Sequence, residues 1–199
     1  MSEPPPRQLH GGGVSIVERA KELAHRAHAG QVDKAGKPYI EHVARVAARV
    51  REDRMCANED CNGRGEVVDW GSVGCGDPSC CSPWRSPCPD CEVAEAAAWL
   101  HDVIEDAACD EQSRIGHHVE DNFPVTVVNA VLALTKFEGY PESNYYADIR
   151  EDEIAMRVKL ADIADNSDEA RLALLDKQTA DRLRKKYRKA LRELGVSVP

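Results

Sequence analysis

The chain is short of aromatic residues. Two Phe, three Trp and five Tyr make up 5% of 199 residues. With little ring volume and abundant alanine, the core has to come from closely packed helices, not from a β-sandwich. Long apolar runs are also missing: no stretch approaches the ~20 residues that span a bilayer as a helix. Nor is there an excess of positive charge. Lys and Arg total 26 against 35 Asp and Glu, a net charge of −9, so the chain has no basic field to draw in a nucleic-acid backbone or an anionic membrane. Residues 1–13 contain proline and glycine but no apolar centre, so they do not read as a signal peptide and are expected to be a disordered lead-in. Nothing marks the chain for export, and the cytosol is the expected compartment.

Hydrophobic residues make up 42% of the chain, enough for the core of one domain, expected over residues 14–199. Apolar spacing predicts helices over 14–29, 38–51, 93–107, 111–122 and 125–137. It predicts one or two more over 145–166, and a last amphipathic helix over 177–194. The basic run Arg182 to Lys189 reads as the solvated face of that last helix. Residues 52–91 break the pattern with glycines, prolines and seven of the eight cysteines. The fold class expected is all-α, a bundle of seven or eight helices interrupted by a Cys-rich insertion.

Three polar motifs sit inside these helical stretches: Pro38-Tyr39-Ile40-Glu41-His42, Leu100-His101-Asp102-Val103-Ile104-Glu105-Asp106, and Lys159-Leu160-Ala161-Asp162-Ile163-Ala164-Asp165-Asn166. Residues four apart on a helix share a face, which aligns His101 with Glu105, Asp102 with Asp106 and Asp162 with Asn166. Two imidazoles and two carboxylates, from His42, His101, Asp102 and Asp162, make a mixed nitrogen and oxygen set suited to Mn²⁺, Fe²⁺ or Zn²⁺. Four protein ligands leave room for water and a phosphate on a six-coordinate ion. Glu105 and Asp106 are then the residues to orient or deprotonate the water. His25, His28, His117 and His118 read as ordinary surface or helix-end histidines.

These motifs, with His28-Ala29-Gly30-Gln31-Val32-Asp33-Lys34 ahead of the first, resemble the HD-domain alarmone hydrolases, the hydrolase half of the RelA/SpoT proteins and their small stand-alone relatives. The resemblance runs over about residues 14–195, the insertion excepted. It implies an all-helical HD domain with one Mn²⁺ held by His42, His101, Asp102 and Asp162. It further implies that Glu105 and Asp106 serve the attacking water, and that Lys34, Tyr39 and Asn166 lie at the nucleotide. The implied reaction removes pyrophosphate from the ribose 3′ position of guanosine tetra- or pentaphosphate. Thr135-Lys136 and Tyr145-Tyr146 also match segments of the family. Asp33 departs from the pattern, standing where the family often has an arginine that holds the guanine base. It is either a hydrogen-bond acceptor for guanine or a loop residue without ligand contact. Val43 replaces a usual proline.

The insertion has too few apolar residues for a core of its own, so something has to staple it. In a cytosolic chain a metal is favoured over disulfides. Cys56 and Cys61, with Cys88 and Cys91, have near-standard zinc spacing and would pinch the two roots of the excursion together around a structural Zn²⁺. Cys75, Cys80 and Cys81 remain for a second site. Because the segment joins the His42 helix to the His101 helix, a cap over the pocket, a contact between copies of the chain and a mere decoration all remain open.

The activity expected is therefore metal-dependent hydrolysis of a nucleotide phosphate, with a small-molecule substrate and no membrane partner. Other substrates within that class are a deoxynucleotide, a nucleoside monophosphate or NADPH. A catalytically silent nucleotide sensor is the reading from outside it, and the intact Glu105 and Asp106 argue against that.

Overall fold

The computed structural model describes residues 14–53, 56, 61, 66–69, 84–106 and 109–197. The expectation of disorder over 1–13, the second cysteine site at Cys75, Cys80 and Cys81, and most of the insertion lie outside them. Nine helices are found among the described residues: α1 Ile16–Ala27, α2 Tyr39–Glu52, α3 Pro89–Leu100, α4 Cys109–Asn122, α5 Val125–Leu134, α6 Glu142–Glu151, α7 Glu153–Asn166, α8 Glu169–Leu172 and α9 Lys177–Glu193. The all-α expectation holds. Within the insertion a small antiparallel hairpin, β1 Glu66–Asp69 with β2 Trp84–Pro87, pairs Glu66 with Pro87 and Asp69 with Trp84. No helix among the described residues is long and apolar enough to cross a membrane.

Local sequence explains where the helices begin. Ser15, Asp152, Asp168 and Asp176 accept backbone N–H groups as N-caps of α1, α7, α8 and α9, satisfying donors that the first turn leaves free. Prolines precede α2, α5 and α6. Gly30, at φ +77, turns the chain after α1 in a conformation that side chains resist. Burial explains why helices form where propensity is weak. α5 contains four valines, yet Val127, Ala130 and Val131 are fully buried, and packing overrides the β-branched preference.

α3 lies at the centre and packs against α1, α2, α5 and α7. Its Ala94, Ala96, Ala97 and Ala98 have no exposed surface, and these small side chains let the neighbouring helices approach on every face. This is where the alanine-rich, aromatic-poor composition is used.

Two helices end well short of the sequence expectation, and the one or two helices expected over 145–166 are two. The helix expected over 93–107 ends at Leu100, and 101–106 continue as turns. His101 Nδ1 bonds the Ala98 carbonyl at 2.8 Å, the acceptor that the Asp102 N–H would take in a continued helix. α5 stops three residues early, where Thr135 turns extended and its hydroxyl donates to the Val131 carbonyl. The stretch 145–166 is two helices, divided at the extended Asp152.

Overfilling α3 tests the packing. Ala97→Leu is expected to lower stability by about 1–3 kcal/mol, read as a lower midpoint in urea unfolding. An unchanged midpoint would mean that α3 has room the structure does not show.

Candidate active site

The first metal motif begins α2, the second follows α3 and the third lies in α7, so three helices deliver its side chains to one place. His101 Nε2 lies 2.9 Å from Asp102 Oδ2 and 4.0 Å from Asp162 Oδ1. His42 Nε2 lies 3.4 Å from Asp162 Oδ1 and 4.0 Å from Asp102 Oδ2. Ligands each about 2.1 Å from a shared ion stand about 3.0 Å apart when adjacent at right angles and about 4.2 Å apart when opposite. These four separations fall almost entirely in that interval: His42, His101 and Asp102 place ligand atoms within 4.8 Å of one another, and Asp162 joins them through its distances to the two imidazoles.

His101 Nε2 is buried and has no partner of hydrogen-bond geometry, although Asp102 is within reach. An orphaned, inward-facing ring nitrogen beside two carboxylates fits a metal ligand. Both rings are also locked in the correct tautomer. The Nδ1–H of His42 donates to Asp165 Oδ2 at 2.7 Å and that of His101 to the Ala98 carbonyl at 2.8 Å, which leaves both Nε2 lone pairs for an ion.

Electrostatics favour a cation. Burial would raise the Asp102 and Asp162 carboxyls. His101 beside Asp102, and Lys159 with both imidazoles beside Asp162, hold them far below the usual carboxylate range. Burial would likewise lower the imidazoles. The carboxylates instead raise His42, and they raise His101 to about 9. Without an ion, protons gather on the rings to balance two buried negative charges; a divalent cation balances them directly.

A surrounding layer holds the carboxylates. Tyr39 donates its hydroxyl to Asp102 Oδ2 at 2.6 Å, Lys159 Nζ lies 3.0 Å from Asp162 Oδ2, and Asn166 Nδ2 donates to Asp162 Oδ1 at 2.5 Å. Tyr39 and Asn166 thus touch the metal-type ligands as well as lining the cavity. Asp165 is fully buried and receives Arg45 Nε at 2.8 Å and the Arg171 guanidinium. Burial would raise its carboxyl, but His42, Arg45 and Arg171 bring it down to about 2. Sequence reasoning gave no role to Asp165, Arg45 or Arg171. An Asp three residues beyond a ligand Asp was the one available signal.

Glu105 and Asp106 stand on the cavity wall beside this cluster. Glu105 Oε2 accepts the Lys136 N–H at 3.0 Å, which is how the Thr135-Lys136 segment reaches the site. Burial raises the Asp106 carboxyl, with the negative charges of Asp102 and Glu105 adding to it, as suits a proton acceptor. His28 ends α1 as its C-cap, as a helix-end histidine should, but it is buried, packs 5.0 Å centre to centre against Tyr39, and places Nδ1 4.0 Å from Asp106 Oδ2. His25, His117 and His118 are exposed or part-exposed, as expected.

The cavity measures about 460 Å³, the size of a small-ligand pocket. Lys34 and Asp33 both line it. The Asp33 carboxylate is already engaged: Oδ1 accepts the N–H groups of Ala35 and Lys37 at 2.8 and 3.0 Å, and Oδ2 meets Arg171 at 3.0 Å. It braces the loop that carries Lys34.

At the other end of the α2–α3 pair, the sulfurs of Cys56, Cys61, Cys88 and Cys91 all lie within 4.8 Å of one another. The Cys56–Cys88 and Cys61–Cys91 separations are 3.6 and 3.8 Å, too long for disulfides. A tetrahedron with Zn–S bonds of about 2.3 Å has edges of about 3.8 Å. Burial and the neighbouring thiols raise Cys88 and Cys91, so as free thiols they stay protonated. Cys56 lies just past α2 and Cys88 and Cys91 at the start of α3, so the two clusters sit at opposite ends of one helix pair. Ten residues of helix separate Cys91 from His101, about 15 Å.

No protein-family model matches the sequence, and no curated protein matches it significantly. Among solved structures the chain is similar to one described as a metazoan ortholog of SpoT that hydrolyses ppGpp and plays a role in starvation responses. The two share 20% identity with a TM-score of 0.57, over 92% of this chain and 86% of that one. At that identity the likeness establishes a shared fold, the all-helical one expected from the motifs.

Asp165→Asn removes the acceptor that fixes His42. It is expected to weaken binding of a divalent ion ten- to a hundredfold, measured by titrating Mn²⁺ into the metal-free protein. Unchanged affinity would show that His42 needs no such support.

Proposed function

We propose that this chain is a metal-dependent phosphohydrolase that removes pyrophosphate from the 3′ position of guanosine tetra- or pentaphosphate. The observation that carries the reading is the meeting of His42, His101, Asp102 and Asp162 on one side of a nucleotide-sized cavity, with Glu105 and Asp106 beside them. The fold shared with a structure described as hydrolysing ppGpp supports it.

The four residues would hold one divalent ion, Mn²⁺ in this reading, which when bound lowers the pKa of water and polarises a phosphoryl oxygen. The protein supplies the rest. Glu105, anchored on the Lys136 N–H, orients the attacking water, and Asp106 takes its proton. Lys159, on Asp162, adds positive charge near the phosphoryl group, and Lys34 meets the nucleotide from the loop after α1. Tyr39, Asn166 and Asp165 keep the ligands in place.

The four cysteines would hold Zn²⁺ in a structural role, closing the root of the insertion. Reduced thiols of this kind fit a cytosolic setting. A second reading, hydrolysis of another nucleotide phosphate at the same centre, is favoured by Asp33: its carboxylate is tied to the loop and to Arg171 and is not free to select a guanine.

The test is incubation of Mn²⁺-loaded protein with guanosine tetraphosphate, with GDP and pyrophosphate as the expected products. Glu105→Gln should retain the metal and lose at least about a hundredfold in kcat, the scale of general-base catalysis. Turnover of a deoxynucleotide or NADPH in place of guanosine tetraphosphate would select the second reading; near-normal turnover by Glu105→Gln would remove Glu105 from the mechanism. For the cysteine site, purified protein should contain one zinc per chain. Cys88→Ser/Cys91→Ser should lose it and melt at lower temperature, and retained zinc would overturn the ligand set.

A further inference from the structure

α2 and α3 run antiparallel, with a metal-type cluster at each end of the pair. At one end the rings of His42 and His101 lie 5.6 Å apart, centre to centre. At the other, the sulfurs of Cys56 and Cys88 lie 3.6 Å apart and those of Cys61 and Cys91 3.8 Å apart. Both close sulfur pairs join the chain leaving α2 to the chain entering α3. From His42 to Glu52 and from Cys91 to His101 the two helical arms have equal length, about 15 Å.

The side chains between the clusters do little to fix how far one helix slides along the other. α2 buries Val43, Val46, Ala47 and Val50. Ahead of Trp99, α3 buries Ala94, Ala96, Ala97 and Ala98. Such short side chains make shallow ridges; they bring helices close but specify axial register weakly. A metal centre needs its ligands held to within about 0.5 Å, so the register has to be fixed elsewhere.

Polar links at the His/Asp end, such as Tyr39 to Asp102 and His42 to Asp165, run through the ligands themselves. Those at the cysteine end are independent of the ligands. Arg51 on α2 meets Glu95 on α3 at 3.8 Å. Arg157 on α7 donates through Nη2 to the carbonyls of Val50 and Asp53 at 3.2 and 3.5 Å. Val50 lies in the last turn of α2, and Asp53 caps that helix shortly before Cys56. Arg157 also shares its helix with Asp162, about 7.5 Å further along the axis. The sulfurs therefore join α2 to α3, and Arg157 joins the same junction to α7. All three segments that carry the His/Asp ligands meet there.

We infer, on the reading of both clusters as metal sites, that Cys56, Cys61, Cys88 and Cys91 are positioning residues for the divalent-cation centre. Zinc on the four sulfurs fixes the register of α2 against α3. Its loss weakens the hold of His42, His101, Asp102 and Asp162 on their ion, about 15 Å away. Coupling of this kind is reciprocal, so an ion at the His/Asp centre strengthens zinc binding by the same factor.

The test is the Mn²⁺ dissociation constant, read from the paramagnetic resonance of free Mn²⁺ well below each melting temperature. It compares wild type carrying zinc with Cys88→Ser/Cys91→Ser, Arg157→Ala and Arg157→Lys. The cysteine double variant is expected to bind Mn²⁺ at least about fivefold more weakly, the low end of coupling between linked sites. Arg157→Ala should weaken Mn²⁺ binding while keeping its zinc, and Arg157→Lys should recover part of the loss. In wild type, competition with a zinc-selective chelator should show zinc held at least about fivefold more tightly at saturating Mn²⁺ than without it. Should the double variant not fold, this reciprocal measurement decides. A lower melting temperature with unchanged Mn²⁺ affinity would reduce the cluster to a staple and overturn the inference, as would zinc affinity indifferent to Mn²⁺. Wild type that bound no Mn²⁺, or held no zinc, would overturn it together with the reading of that cluster. Because neither readout is turnover, failure to hydrolyse guanosine tetraphosphate would defeat the substrate reading alone.

Discussion

The buried carboxylate of Asp165 is the contact on which the site depends. It sits on α7 three residues beyond Asp162, takes the Nδ1–H of His42 on α2, and is held in turn by Arg45 on α2 and by Arg171 just after the start of α8. Arg171 continues to Asp33, which braces the loop carrying Lys34. One group with no exposed surface thus fixes a ring tautomer, joins three helices and aims a loop. A buried carboxylate is tolerable because its oxygens are satisfied by charged donors. The folded pKa of about 2 is below the ordinary value of 3.8. Its stabilisation is therefore fully present above about pH 4 and is lost as pH falls through about 2.

Around that hub the helix pair α2 and α3 acts as a ruler with a cluster at each end. His42 lies near the start of α2 and His101 just after the end of α3. Cys56 follows α2, and Cys88 and Cys91 open α3. The buried alanines of α3 let it pack closely enough to hold this alignment. The insertion is in this way tied into the frame that sets the spacing between two histidines of the candidate metal centre.

Much of this was legible in the sequence, because helix periodicity and ligand chemistry act locally. His101 and Asp102 are adjacent, Asp162 and Asn166 are one turn apart, and the outer cysteine pairs have the spacing that chelation needs. Contacts decided by tertiary packing were not legible. His28 reads as a helix-end histidine but is buried between Gln31, Tyr39 and Asp106. Arg171 meets Asp33 across 138 positions, and no spacing rule reaches that far. α3 ends at Leu100 because the His101 ring competes for a helical carbonyl, an event no propensity describes.

The central claim is that three helices assemble one divalent-cation centre and that the cysteines assemble another. Anomalous diffraction from crystals of the metal-loaded protein, recorded at the manganese and zinc absorption edges, tests it most directly. The account predicts one manganese peak among His42, His101, Asp102 and Asp162, and one zinc peak among Cys56, Cys61, Cys88 and Cys91. Absence of a metal peak between the histidines at saturating Mn²⁺ would contradict it.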